Sequence, residues 1–93
     1  MSKSIIQVDG SKCFLCGQPA TETHHIFGGT ANRKISEREG FTVRLCHNCH
    51  TGADNCAQYD KDTNIYLKQT AQAAYEETHT HDQWMRLIRK NYI

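Results

Sequence analysis

Four cysteines stand in two pairs of the same spacing, Cys13-x-x-Cys16 and Cys46-x-x-Cys49. Two residues between thiols let the chain wrap one ion in a knuckle, with backbone N–H groups turned toward the sulfurs. Two such knuckles complete the tetrahedral thiolate set that structural zinc prefers. The 29-residue spacer between Cys16 and Cys46 is long for a simple zinc ribbon and leaves room for a hairpin and a loop. The competing reading, one redox-active or merely buried pair, fits the spacing less well. The fifth cysteine, Cys56, reads as a small buried hydrophobe rather than a ligand.

Four of the six histidines, His24, His25, His47 and His50, gather around these knuckles. Neighbours on a regular strand point to opposite faces, so His24 and His25 can serve one site only at a strand end or a bulge. Gly28-Gly29 just downstream supplies such an end. Chemically the two imidazoles suit separate jobs. One holds a metal, and the other, unligated, takes a proton from water near neutral pH. His50 directly follows Cys49, so a zinc knuckle would hold it through the backbone, poised toward a second metal site. His47, inside the knuckle, is expected to face solvent or a phosphate. His79 and His81 read as surface or cap residues.

The elements that must carry these groups are short. Residues 3–9 are β-prone, a strand or an arm. Thr21–Phe27 is rich in Thr and β-branched residues and predicts a strand ended by the glycines. Residues 30–40 are polar, and Ser36 to Gly40 reads as a short helical turn or a loop. In 41–45, apolar Phe41, Val43 and Leu45 alternate with Thr42 and Arg44, a strand signal. Thr51–Asp62 reads as a loop or a broken helix. Asp62 or Thr63 would cap a helix to about Thr78, with Leu67, Ala71, Ala74 and Tyr75 on one face. Thr80 with Gln83 is a capping-box pattern that opens a second helix carrying Trp84, Leu87 and Ile88. The expected order is strands and knuckles, a strand, then helices: a small α+β fold. It forms one domain, with an N-terminal strand or arm (1–12), a zinc-stapled core (13–60) and C-terminal helices (61–93).

Bulk composition narrows the function. The chain has 93 residues, 38% of them hydrophobic, and a mean hydropathy of -0.71. A core this small usually needs a staple, which a metal would provide. No apolar segment follows Met1, so neither a secretion signal nor a membrane span is expected. Reduced cytoplasmic thiols then favour metal ligation over disulfides. The net charge of +1 is low for a protein that coats DNA, because phosphate neutralisation supplies most non-specific affinity. Brief binding by an enzyme suits it better. Arg33, Lys34, Arg38 and Arg44 surround the site in sequence. They read either as phosphate contacts or as a solvated face shared with Glu37 and Glu39. Arg86, Arg89 and Lys90 read either as an extension of a DNA footprint or, better, as solvating the last helix.

The set Cys13-x-x-Cys16, His24-His25-Ile26 and Leu45-Cys46-x-x-Cys49-His50 resembles the zinc-containing HNH endonucleases. The tract His24-His25-Ile26-Phe27-Gly28-Gly29-x-x-Asn32-Arg33-Lys34-x-Ser36 resembles a group of small HNH-like proteins of bacteriophages and prophages. Phage recombination-enhancement nucleases share the style of motif. The likeness runs over nearly the whole chain and is most specific from Cys13 to His50. It implies a ββα-metal core and a DNA phosphodiesterase, in the cytoplasm of a bacterial host, with a phage or host recombination or packaging protein as a candidate partner. Carried over, His24 and His50 would hold a catalytic divalent ion (magnesium, manganese, nickel or zinc). His25 would be the general base, and Cys13, Cys16, Cys46 and Cys49 would hold structural zinc. Arg33, Lys34 and Arg44 are the candidate DNA phosphate contacts. The chain departs from the family at two points. The family usually carries an Asn just before the Leu-Cys, where Phe41–Arg44 has none; Asn32 is the nearest candidate to orient the loop of the base, or the backbone does so. A further family His falls at Gln58, so Gln58, Asp54 or water is left as third ligand. A non-catalytic zinc-stapled module that binds nucleic acid or protein is the alternative; it accounts for the cysteines but leaves His24, His25 and His50 without a task.

Overall fold

The computed structural model describes residues 4–52, 56–57 and 60–93. Two four-residue strands, β1 (Glu22–His25) and β2 (Thr42–Leu45), pair antiparallel, with Glu22 opposite Leu45 and His25 opposite Thr42. Between them runs helix α1 (Thr30–Glu39), and after them come a π-helical turn (Asn48–Gly52), α2 (Lys61–Glu76) and α3 (His81–Ile88). The fold is small α+β, as the sequence predicts, but the order is not. A full helix stands between the strands where only a short turn or loop is expected at Ser36–Gly40.

The reason lies in α1 itself. Its one partly buried apolar side chain is Ile35, and its only buried residue is Ser36, so no apolar stripe announces it. No side chain caps its start at Gly29. Its end is ordinary: Gly40 adopts the left-handed conformation (φ 81°), and its N–H donates to the Ser36 carbonyl. Only glycine takes that conformation without steric cost.

The first strand is shorter than Thr21–Phe27. Ile26, whose N–H still donates to the Phe41 carbonyl, and Phe27 lie beyond the strand in the core, where Phe27 and Phe41 meet Trp84 edge-to-face at 5.7 and 5.5 Å. Tyr75 of α2 joins Trp84 at 5.7 Å. The strand before the second knuckle buries Phe41, Val43 and Leu45 as its alternation predicts, but Thr42 between them is buried as well, at 5% exposure.

Asp60 rather than Asp62 or Thr63 caps α2, accepting from the Thr63 N–H at 2.8 Å. Leu67, Ala71 and Tyr75 are buried on its inner face, as expected; Gln72 joins them, while Ala74 is only half-buried. The capping box of α3 forms in both directions: the Gln83 N–H donates to Thr80 Oγ1, and the Thr80 N–H donates to Gln83 Oε1.

Residues 4–7 form an arm, not a strand. Ser4 Oγ donates to the Thr42 carbonyl, and the Gln7 side chain accepts from the Arg44 N–H. The arm thereby covers part of the outer edge of β2, which would otherwise present open hydrogen-bonding groups.

Candidate functional site

The sheet delivers both knuckles to one place. Thr21 N–H donates to the Leu45 carbonyl, and Phe14 N–H donates to the Arg44 carbonyl. The first knuckle is thus tied to the end of β2, from which the second emerges. The turns are closed locally: Gly17 N–H donates to the Cys13 carbonyl and His50 N–H to the Cys46 carbonyl. As a result the sulfurs of Cys13, Cys16, Cys46 and Cys49 lie within 4.8 Å of one another, with Cys16 and Cys46 at 3.6 Å. A tetrahedral ion with zinc–sulfur bonds near 2.3 Å separates its sulfurs by about 3.8 Å. The four thiols fit a metal ion such as zinc.

Their electrostatics point the same way. Burial pushes the Cys13 thiol up, but N–H groups of Cys46, Cys16 and Leu15 outweigh it and pull the group down to about 6. Burial and then the neighbouring thiols push Cys49 up. Cys16 receives an N–H from Gln18 that lowers it, yet Cys13, burial and Cys46 leave it raised. One thiolate forms easily here, at Cys13, while Cys16 and Cys49 resist becoming the next. A bound cation removes that conflict. Cys56 is fully buried and outside the cluster.

The histidines meet one element away. Glu22 and His24 share a face of β1. His24 is 5% exposed, and its ring meets that of His50 edge-to-face, with centroids 5.2 Å apart. His24 Nε2 is buried and has no hydrogen-bond partner. Burial first, then the charges of His50, His25 and Lys68, lower the His24 imidazole to about 4, so it is neutral at physiological pH.

His25 is the last residue of β1, the strand end that two histidines serving one site require. Both line an open groove of about 320 Å³ with Thr23, Gly28, Gly29, Arg33 and His50. His25 Nε2 lies 3.1 Å from Glu37 Oε1 on α1. If that nitrogen carries the proton, Nδ1 keeps a lone pair.

Three residues that sequence reasoning does not single out do the holding. Glu22 bridges His50 Nδ1 (2.6 Å) and His47 Nδ1 (2.9 Å), and those contacts, His50 first, lower its carboxyl below the usual range. Glu37 holds His25. Ser36, fully buried, receives the Phe27 N–H at 3.1 Å and donates to the Phe27 carbonyl at 3.0 Å. The chain two residues beyond His25 is therefore clamped to α1 by Ser36, whereas Asn32, the expected orienting residue, lies exposed on the first turn of that helix. Ser36→Ala is expected to cost about 1–3 kcal/mol by orphaning a buried N–H and carbonyl, read as a lower urea midpoint. An unchanged midpoint would deny the clamp.

Among the basic candidates, Arg33 lines the groove and is 65% exposed, with Glu37 at 3.9 Å. Lys34 is exposed on α1. Arg38 pairs with Glu39 at 2.9 Å. Arg44 is engaged in the fold: its guanidinium donates to Thr23 Oγ1 at 2.7 Å and to the Gly10 carbonyl at 3.3 Å. Its Nε and Nη1 thus tie the side chain to the fold. Gln58 and Asp54, the candidate third ligands, lie outside the described residues. Among the described residues the four-cysteine group is the one set of three or more ligand side chains close enough to hold an ion.

Compared with protein-family models, curated proteins and solved structures, the chain matches none of them. No helix among the described residues is long and apolar enough to cross a membrane.

Proposed function

We propose that the protein is a metal-dependent DNA endonuclease of the HNH type, in which the two strands and the turn after Cys46 serve as a ββα-metal core. What carries the reading is the buried, unpartnered Nε2 of His24 beside His50, on a groove that His25 shares. An unsatisfied buried nitrogen costs about 1–3 kcal/mol, and a divalent cation between His24 and His50 would satisfy it. When bound, such a cation supplies charge that polarises a phosphoryl oxygen and stabilises the leaving 3′-oxygen.

The chain's own groups supply the rest. His25, oriented by Glu37 through Nε2, takes a proton at Nδ1 from the attacking water. The water oxygen bonds to phosphorus as the bond from phosphorus to the 3′-oxygen breaks. That oxygen acquires a proton from solvent, leaving a 5′-phosphate and a 3′-hydroxyl. Arg33, on the same groove, is placed to meet a phosphate of the substrate, with Lys34 exposed on the same helix. The four cysteines hold structural zinc and so support His50 through the knuckle backbone.

The competing zinc-stapled module draws on a specific observation: only the cysteines gather three or more ligands among the described residues. The two readings differ in metal content. The endonuclease is expected to bind one manganese ion beyond its zinc, measured by calorimetry on zinc-loaded protein. His24→Ala and His50→Ala are expected to lose the manganese and keep the zinc. Zinc alone in the wild type would favour the module.

A further inference from the structure

The register of the sheet sets Glu22 opposite Leu45, the residue just before the second knuckle. From there its two carboxylate oxygens are divided between two rings, Oε1 to His50 Nδ1 at 2.6 Å and Oε2 to His47 Nδ1 at 2.9 Å. The backbone of His50 is held separately, by its N–H to the Cys46 carbonyl at 3.0 Å. What remains free is the rotation of the His50 ring and the choice of which nitrogen carries its proton.

A carboxylate accepts hydrogen bonds and cannot donate one, so a neutral His50 that bonds to Glu22 must carry its proton on Nδ1. Its Nε2 then keeps a lone pair. We propose that Glu22 is a positioning residue that fixes His50 in the Nδ1–H tautomer and holds its unprotonated Nε2 beside His24. A ligating histidine whose other nitrogen is bound by a carboxylate is oriented and made more basic by it. Here the carboxylate comes from the strand that carries His24, so one strand supplies both a ligand and the brace of its partner. The knuckle alone does not prepare His50; the closed sheet does. Only the consequence for cation affinity rests on the proposed cation site; the tautomer does not.

Histidine ring nitrogens can be read directly by long-range ¹H–¹⁵N correlation on zinc-loaded protein at about pH 8.5, where imidazoles are neutral. The wild type is expected to show His50 as the Nδ1–H tautomer. Glu22→Ala is expected to shift it toward Nε2–H, and Glu22→Gln, whose amide oxygen still accepts, to keep Nδ1–H. Zinc content should be the same in all three. Manganese affinity, measured alongside, is expected to fall about 10–100-fold in Glu22→Ala and less in Glu22→Gln. A wild-type His50 in the Nε2–H form, or a spectrum that Glu22→Ala leaves unchanged, would overturn the proposal. If the tautomer responds as expected but no variant binds manganese, the role of Glu22 stands and the cation site under Proposed function falls.

Discussion

Removing the metal from the four-cysteine cluster, or replacing Cys46 by alanine, is expected to unfold the domain. The sheet has two strands of four residues each. The first knuckle is held to it by few backbone bonds, among them Phe14 to Arg44 and Thr21 to Leu45. Small domains are stable by about 5–15 kcal/mol in total, whereas structural zinc contributes about 10–16 kcal/mol in small zinc domains. Losing the second quantity consumes the first. Thermal unfolding followed by circular dichroism should lose its cooperative transition when a strong chelator strips the zinc. Cys46→Ala should behave the same way. Cys56→Ala should keep one zinc per chain and its cooperative transition, because Cys56 stands outside the cluster, and lose only the packing of one buried sulfur, about 1 kcal/mol. A metal-free protein that melts as before would show that the cysteines do not staple this fold.

His25→Ala should lower DNA cleavage by about 10²–10⁴-fold, the range that a positioned general base contributes. The fold should survive it. His25 is the last strand residue, and its ring meets the half-exposed Glu37 carboxylate at 3.1 Å. A pair with one partner half in solvent contributes only about 0–1 kcal/mol. Zinc content and melting temperature should therefore match the wild type, which separates a catalytic loss from a structural one. Glu37→Gln keeps a hydrogen-bonding group at the His25 ring but removes its charge, and a smaller loss is expected. Equal cleavage by wild type and His25→Ala would remove His25 from the role.

What could be read in the sequence was local. The two Cys-x-x-Cys pairs, the apolar positions of 41–45 and the Thr80–Gln83 box each depend on residues a few positions apart, and each appears as read, with Thr42 buried in addition. The histidine pair at a strand end followed from the period of the strand and the glycines after it. Helix α1 stayed hidden because its inward face rests on Ser36 and Ile35 rather than on an apolar stripe. Glu22 and Glu37 stayed hidden for another reason. Their partners are set by the register of β1 on β2 and by the packing of α1 beside β1, and neither is written in neighbouring residues. For the same reason Asn32, the nearest asparagine in sequence, turns out to be exposed, while Ser36, one helical turn further on, holds the loop. The boundary of α2 moved to Asp60 because aspartate, like the expected Asp62 and Thr63, caps well, and only the fold decides among them.

The proposed endonuclease activity can be read from a supercoiled-plasmid nicking assay on zinc-loaded protein, with magnesium, manganese or nickel added. Wild type, His25→Ala and an EDTA control would be run side by side. Cleavage by the wild type alone is expected, abolished by EDTA, with 5′-phosphate ends. Equal nicking by His25→Ala, or a folded, zinc-loaded wild type that cuts with none of these ions, would contradict it.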